Sequence, residues 1–134
     1  FKTSNGKYIA PQAIEMSLSG NPYIEQCAVI ADERKFVSAL IVPAFDALEA
    51  RVRSRGIAFT NRSELIAREE VVRFYRSLIE EAQQHFASFE KIKRFTLLDH
   101  PFSIESGELT DTLKLRRSAI ARRYADEIEA MYQE

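Results

Sequence analysis

The 134 residues contain one cysteine, Cys27. A lone thiol excludes an internal disulfide and a cysteine-based zinc site. It lies in the apolar stretch "CAVIA", where a small buried hydrophobe is expected and a nucleophile is not. No apolar run reaches the length of a membrane span, and no secretory pattern is present. Glycines number four, and none forms a phosphate-cradling loop. His85 and His100 lack metal-ligand spacing, so no metal site is expected. The net charge of −1 removes the basic excess that nucleic acid attracts, so no nucleic-acid partner is expected. No repeat or low-complexity tract occurs. The composition, 46% apolar and 29% charged, suits one globular domain with its own core. A single thiol fits a reducing compartment, which makes the cytoplasm the expected location. The sequence begins at Phe1 rather than Met, so a piece of a longer chain is expected.

The chain opens on "FKTSNGKYIAP". Asn5-Gly6 is the preferred pair for a two-residue hairpin turn, in which both positions take positive φ. A short hairpin is predicted over 1–3 and 7–10. Pro11 suits the first position of a helix and Gly20 its end, with Ile14 and Leu18 on one face. Two β-rich runs, 24–31 and 36–42, flank a polar turn and read as an antiparallel pair. Phe45, Leu48 and Val52 recur at helical spacing, and Gly56 provides a stop.

Asn61 and Glu64 have capping-box spacing at the start of the longest helical signal. Its apolar stripe is Val72, Tyr75, Ile79, Ala82 and Phe86, with a break expected near 67–70. A third strand over 94–98, a loop over 101–112 and a last helix from 115 to 132 complete the order. The fold predicted is α+β: a small three-stranded sheet covered by helices and preceded by a short N-terminal β-hairpin.

One loop has the ingredients of an anion site. In "GELTDTLKLRR", Thr110, Thr112 and Lys114 alternate, so an extended backbone would turn all three to one side. Two hydroxyls and an ammonium can serve a phosphoryl or carboxylate oxygen. The bland alternative is a solvated loop lysine. Arg116, Arg117, Arg122 and Arg123 cluster on the last helix and read mainly as a solvated face.

"KTSNGKYIAPQAIE" together with "GELTDTLKLRR" resembles the C-terminal domain of adenylate-forming enzymes, most of all long-chain fatty acid–CoA ligases. Pro11, Ile14 and Glu15 are similar to the Pro-x-x-Ile-Glu segment after the interdomain hinge. Thr110, Thr112 and Lys114 are similar to the Thr-Pro-Thr-x-Lys motif, whose lysine is catalytic. Asp111 replaces the family's proline, which removes a backbone restraint and adds a negative charge. The Thr-x-Thr-x-Lys form, in place of Ser-Gly-Lys, leans toward long-chain substrates.

The resemblance implies that residues 1–134 are a mobile lid working with a large N-terminal domain outside this sequence. It implies a two-step ligase with fatty acid, ATP and CoA as substrates. Mg2+ would be held by the large domain. Lys114 would serve acyl-adenylate formation, with Thr110 and Thr112 beside the nucleotide. After domain rotation, Asn5, Gly6 and Lys7 would line the CoA site. The full-length protein would be cytoplasmic with possible peripheral membrane association, and this fragment alone would be inactive. Two other readings stay open: an adenylate-forming enzyme with another acid or a carrier-protein acceptor, and a stand-alone interaction module using the basic last helix.

Overall fold

The computed structural model describes residues 1–133. Helix α1 (Pro11–Ser19) begins with proline at its first position and buries Ile14 and Leu18. Strands β1 (Ile24–Ile30) and β2 (Val37–Pro43) pair antiparallel, with Cys27 opposite Ile41 and Val29 opposite Ala39. Helices α2 (Phe45–Ser54), α3 (Arg62–Ala67) and α4 (Glu69–Ala82) follow. Strand β3 (Ile92–Leu97) then joins β2 in parallel. A parallel neighbour cannot be reached by a tight turn, so the three helices form the crossover. Helices α5 (Arg117–Arg123) and α6 (Ala125–Met131) end the order, giving an α+β fold.

The sheet runs β1-β2-β3. Its middle strand is buried along its whole length, which is why β2 shows no apolar–polar alternation. Ser38 is its one hydroxyl, and it donates to the Tyr132 hydroxyl at 2.9 Å. Tyr132 in turn donates to the Phe36 carbonyl at 2.7 Å, so no polar group there is stranded. Tyr75 of α4 is fully buried and donates to the Tyr23 carbonyl at 2.6 Å.

Local chemistry sets the helix ends. Gly56 has φ +73, the left-handed value that β-carbons disfavour. The Ile57 amide reaches the Val52 carbonyl at 2.9 Å and the Gly56 amide reaches that of Arg53 at 3.1 Å, a Schellman closure. Asn61 accepts from the Glu64 amide at 2.8 Å. The box is only half formed, because the Glu64 carboxylate takes the Thr60 hydroxyl at 2.5 Å instead. The expected break falls at Arg68, which caps both α3 and α4.

Several expectations shift. The N-terminal segment pairs only through an isolated Lys2–Tyr8 bridge, and its turn is not the two-residue type. Val71 rather than Val72 leads the buried stripe of α4, and Phe86 lies beyond that helix. The third strand begins at Ile92. The last helical region starts at Arg117 and divides at Tyr124, whose φ −107 and ψ 27 leave the helical region. Tyr124 is buried there, its hydroxyl 3.3 Å from His100 Nε2 and its ring against Phe102. Neither proline nor glycine marks that break; the contacts of Tyr124 do.

Candidate functional site

Thr110, Thr112 and Lys114 do not lie on an extended strand. Leu109 and Leu115 bridge antiparallel, and the residues between them turn. The Leu113 amide donates to the Thr110 carbonyl, and the Thr110 amide to the Lys114 carbonyl, each at 2.8 Å. The Lys114 amide donates to Thr110 Oγ1 at 3.1 Å. Leu113 takes φ +65, as the bulge after such a turn requires. The two threonine hydroxyls do meet, with Oγ1 atoms 3.2 Å apart. The turn, not alternation, brings them together. Asp111 occupies the proline's place, and the turn closes through these bonds without it.

The N-terminal loop has the same construction. Gly6 donates its amide to the Thr3 carbonyl at 3.0 Å, and Thr3 donates its own to the Lys7 carbonyl at 2.9 Å. The Lys7 amide reaches Thr3 Oγ1 at 3.1 Å, and that hydroxyl donates to Asn5 Oδ1 at 2.5 Å. Gly6 has φ +84, while Asn5 does not take a positive φ. Asn5-Gly6 therefore forms a three-residue loop with a glycine bulge, not the expected two-residue turn. In "TSNGK" and "TDTLK" alike, threonine opens, the fourth residue is left-handed, and lysine closes.

The lysines differ in their surroundings. Lys7 Nζ lies over the Phe89 ring, 5.5 Å from its centre. Lys114 is exposed, and its ammonium has no hydrogen-bond or ion-pair partner among the described residues. A side chain in that state keeps its freedom to move. Next to the N-terminal loop, a cavity of about 420 Å³ is lined by Thr3, Asn5, Lys35, Phe36, Phe89 and Lys93 among others. Two lysines and two aromatic rings in one cavity suit a phosphorylated, ring-bearing ligand, although Lys93 Nζ already donates to the Ser88 carbonyl at 3.2 Å. Lys35 and Phe36 lie far along the chain from Phe89 and Lys93, and neither pair carried a motif.

Two acids secure these loops: Glu108, to which sequence reasoning gave no role, and Glu15, which it placed in a motif without assigning it a contact. Glu108, only 1% exposed, lies at the foot of the Lys114 turn. Ser106 donates its hydroxyl to Oε1. Arg123 Nε is 3.4 Å from Oε2, an ion pair without hydrogen-bond alignment. The Glu108 carbonyl accepts from the Arg116 amide at 2.8 Å, closing the hairpin.

Glu15 takes both arms of the Arg117 guanidinium, at 2.7 and 2.8 Å, and the Val29 amide at 2.8 Å. This fork joins α1, β1 and the start of α5. Arg117 and Arg123 are thus tied to named carboxylates and are not simply a solvated face. Cys27 is partly buried, and desolvation, helped by Glu15, pushes its thiol above the usual thiol range, which favours the protonated form. Among the described residues no three His, Cys, Asp or Glu side chains are grouped to hold a metal.

The chain is similar to known proteins over nearly its whole length. A long-chain fatty acid–CoA ligase of Mycobacterium tuberculosis is 30% identical over 131 residues, covering 97% of this chain and 22% of that protein. Long-chain fatty acid–CoA ligase 5 of Rattus norvegicus is 30% identical over 139 residues, covering 99% and 20%. The adenylation domain of a carboxylate reductase from Mycobacterium chelonae superposes with a TM-score of 0.78 at 26% identity, over all of this chain and 19% of that one. The chain thus spans about a fifth of the length of the relatives it matches. Residues 2–134 match the AMP-binding enzyme C-terminal domain, and the chain belongs to that family.

Proposed function

We propose that the chain is the mobile lid of an ATP-dependent long-chain fatty acid–CoA ligase, and that Lys114 is its catalytic residue for acyl-adenylate formation. In the first step a carboxylate oxygen attacks the α-phosphorus of ATP, and the bond to pyrophosphate breaks. Two anions must approach while charge builds on the α-phosphoryl oxygens. The Lys114 ammonium bridges carboxylate and phosphate and offsets their repulsion in a site shielded from water. It transfers no proton. Thr110 and Thr112 add hydroxyls beside the nucleotide. ATP and CoA are co-substrates, and any Mg2+ belongs to the large domain.

In the second step the lid rotates and presents the Thr3–Lys7 loop. The CoA thiol attacks the acyl carbon, AMP leaves, and the thiol proton passes to solvent. Gly6 lets the backbone lie beside the pantetheine arm, because a residue without a β-carbon permits close approach. Asn5 and Lys7 flank it, and the adjoining cavity would take the phosphate-bearing end of CoA. A cytoplasmic setting suits these substrates.

The observation that carries the reading is the Lys114 ammonium, without a partner among the described residues and held out on a hydrogen-bonded turn in a chain of this family. In the full-length protein, Lys114→Ala lowers adenylate formation by roughly a thousandfold, the scale of losing one transition-state donor. Thioester formation from supplied acyl-adenylate survives. Equal loss in both half-reactions would contradict the assignment.

A second reading is favoured by the reductase overlay: the chain serves an adenylation domain whose acceptor is not free CoA. Incubating the full-length protein with fatty acid, ATP and CoA separates the two. Acyl-CoA supports the ligase, and adenylate without acyl-CoA supports the alternative.

A further inference from the structure

The two loops share one scaffold, yet their left-handed position holds glycine in one and leucine in the other. Gly6 meets the steric demand of φ +84 without cost, whereas Leu113 sits at φ +65 with a β-carbon. Leucine is a costly residue for that backbone; the turn's hydrogen bonds hold the conformation, but no packing within the domain rewards the side chain, since the residue is 66% exposed. A single exposed leucine is ordinary on a protein surface. An exposed leucine held in a strained conformation, next to the one residue the chain must deliver elsewhere, is not. Strained positions persist where the side chain is used.

We infer that Leu113 is a positioning residue: an apolar anchor that seats in a recess of the large domain when the lid brings Lys114 to the nucleotide. The inference rests on the Lys114 reading above. The occupant follows from covalent geometry. Leu113 and Lys114 are consecutive, so a pose that places the ammonium inside the large domain's site carries the leucine to the same interface.

The left-handed bulge turns the leucine outward while the Lys114 amide stays tied to Thr110 Oγ1. Seating the leucine fixes the lysine's backbone before its side chain extends. Burial of this side chain contributes only in the adenylation pose, so it favours the first half-reaction over the second. The Thr3–Lys7 loop, with glycine at the same position, has no such anchor.

Four variants of the full-length protein test this in the two half-reactions. Leu113→Gly and Leu113→Asn both suit the left-handed backbone and remove the apolar side chain. Each is expected to lower kcat for adenylate formation by about ten- to a hundredfold, the scale of losing one buried leucine. KM for ATP and thioester formation from supplied adenylate remain unchanged. Leu113→Met, apolar and of similar volume, restores kcat to within about threefold. Lys114→Ala is the fourth variant.

If Lys114→Ala abolishes adenylation while Leu113→Gly matches the parent protein, the anchor is wrong and the lysine assignment stands. If Leu113→Met is as weak as Leu113→Gly, or both half-reactions fall together, the anchor is likewise overturned. If Lys114→Ala leaves adenylation intact, the lysine reading itself fails and the anchor with it.

Discussion

At the scale of single residues, the structure separates positions that merely close a turn from positions that a turn exists to present. Thr110 closes: its hydroxyl meets both Thr112 and the Lys114 amide. Lys114 is presented. Leu113 carries a conformational cost of about 1–2 kcal/mol for its left-handed backbone. Asparagine tolerates that region, and the exposed leucine contributes little burial to the domain. Leu113→Asn is therefore expected to stabilise the chain by up to about 1 kcal/mol, a rise of roughly 2–4 °C in Tm. Thermal unfolding followed by circular dichroism checks this. A fall in Tm would mean that the leucine supports the domain itself.

Among the elements, the contacts that aim the loops are long-range in sequence. Glu15 on α1 holds Arg117 at the start of α5, three residues past Lys114. Arg117→Met breaks that fork and leaves the carboxylate with the Val29 amide alone. The expected cost is about 2 kcal/mol, or roughly 5–8 °C in Tm. A loss under about 0.5 kcal/mol would return Arg117 to the status of a solvated charge.

Much of this level was legible in the residues. Pro11, Gly56 and Asn61 marked helix ends because capping chemistry is local. The β1–β2 pair was readable because a short polar turn separates two apolar runs. The break at Tyr124 was not, since its cause lies in His100 and Phe102, about twenty residues away. The turn that carries the lysine was not legible for a related reason. Alternation of Thr110, Thr112 and Lys114 fits a strand and a bulged turn equally, and only the hydrogen bonds choose between them. The spacing that could have revealed it was present twice, in "TSNGK" and "TDTLK".

On the scale of the whole molecule, one small mixed sheet supports two similarly built loops with different tips. One ends in glycine and a lysine over an aromatic ring. The other ends in leucine and a lysine without a partner among the described residues. Under the proposed function, each loop would be presented in one of the two lid orientations. The central claim is that the second loop delivers its ammonium to the α-phosphate during adenylation.

The most direct measurement is a structure of the full-length protein with a fatty acid and a non-hydrolysable ATP analogue in the first-step pose. The account predicts Lys114 Nζ at hydrogen-bond distance, about 3 Å, from an α-phosphoryl or carboxylate oxygen. A lid closed over the nucleotide with residue 114 more than about 10 Å away, beyond the reach of its side chain, would contradict it.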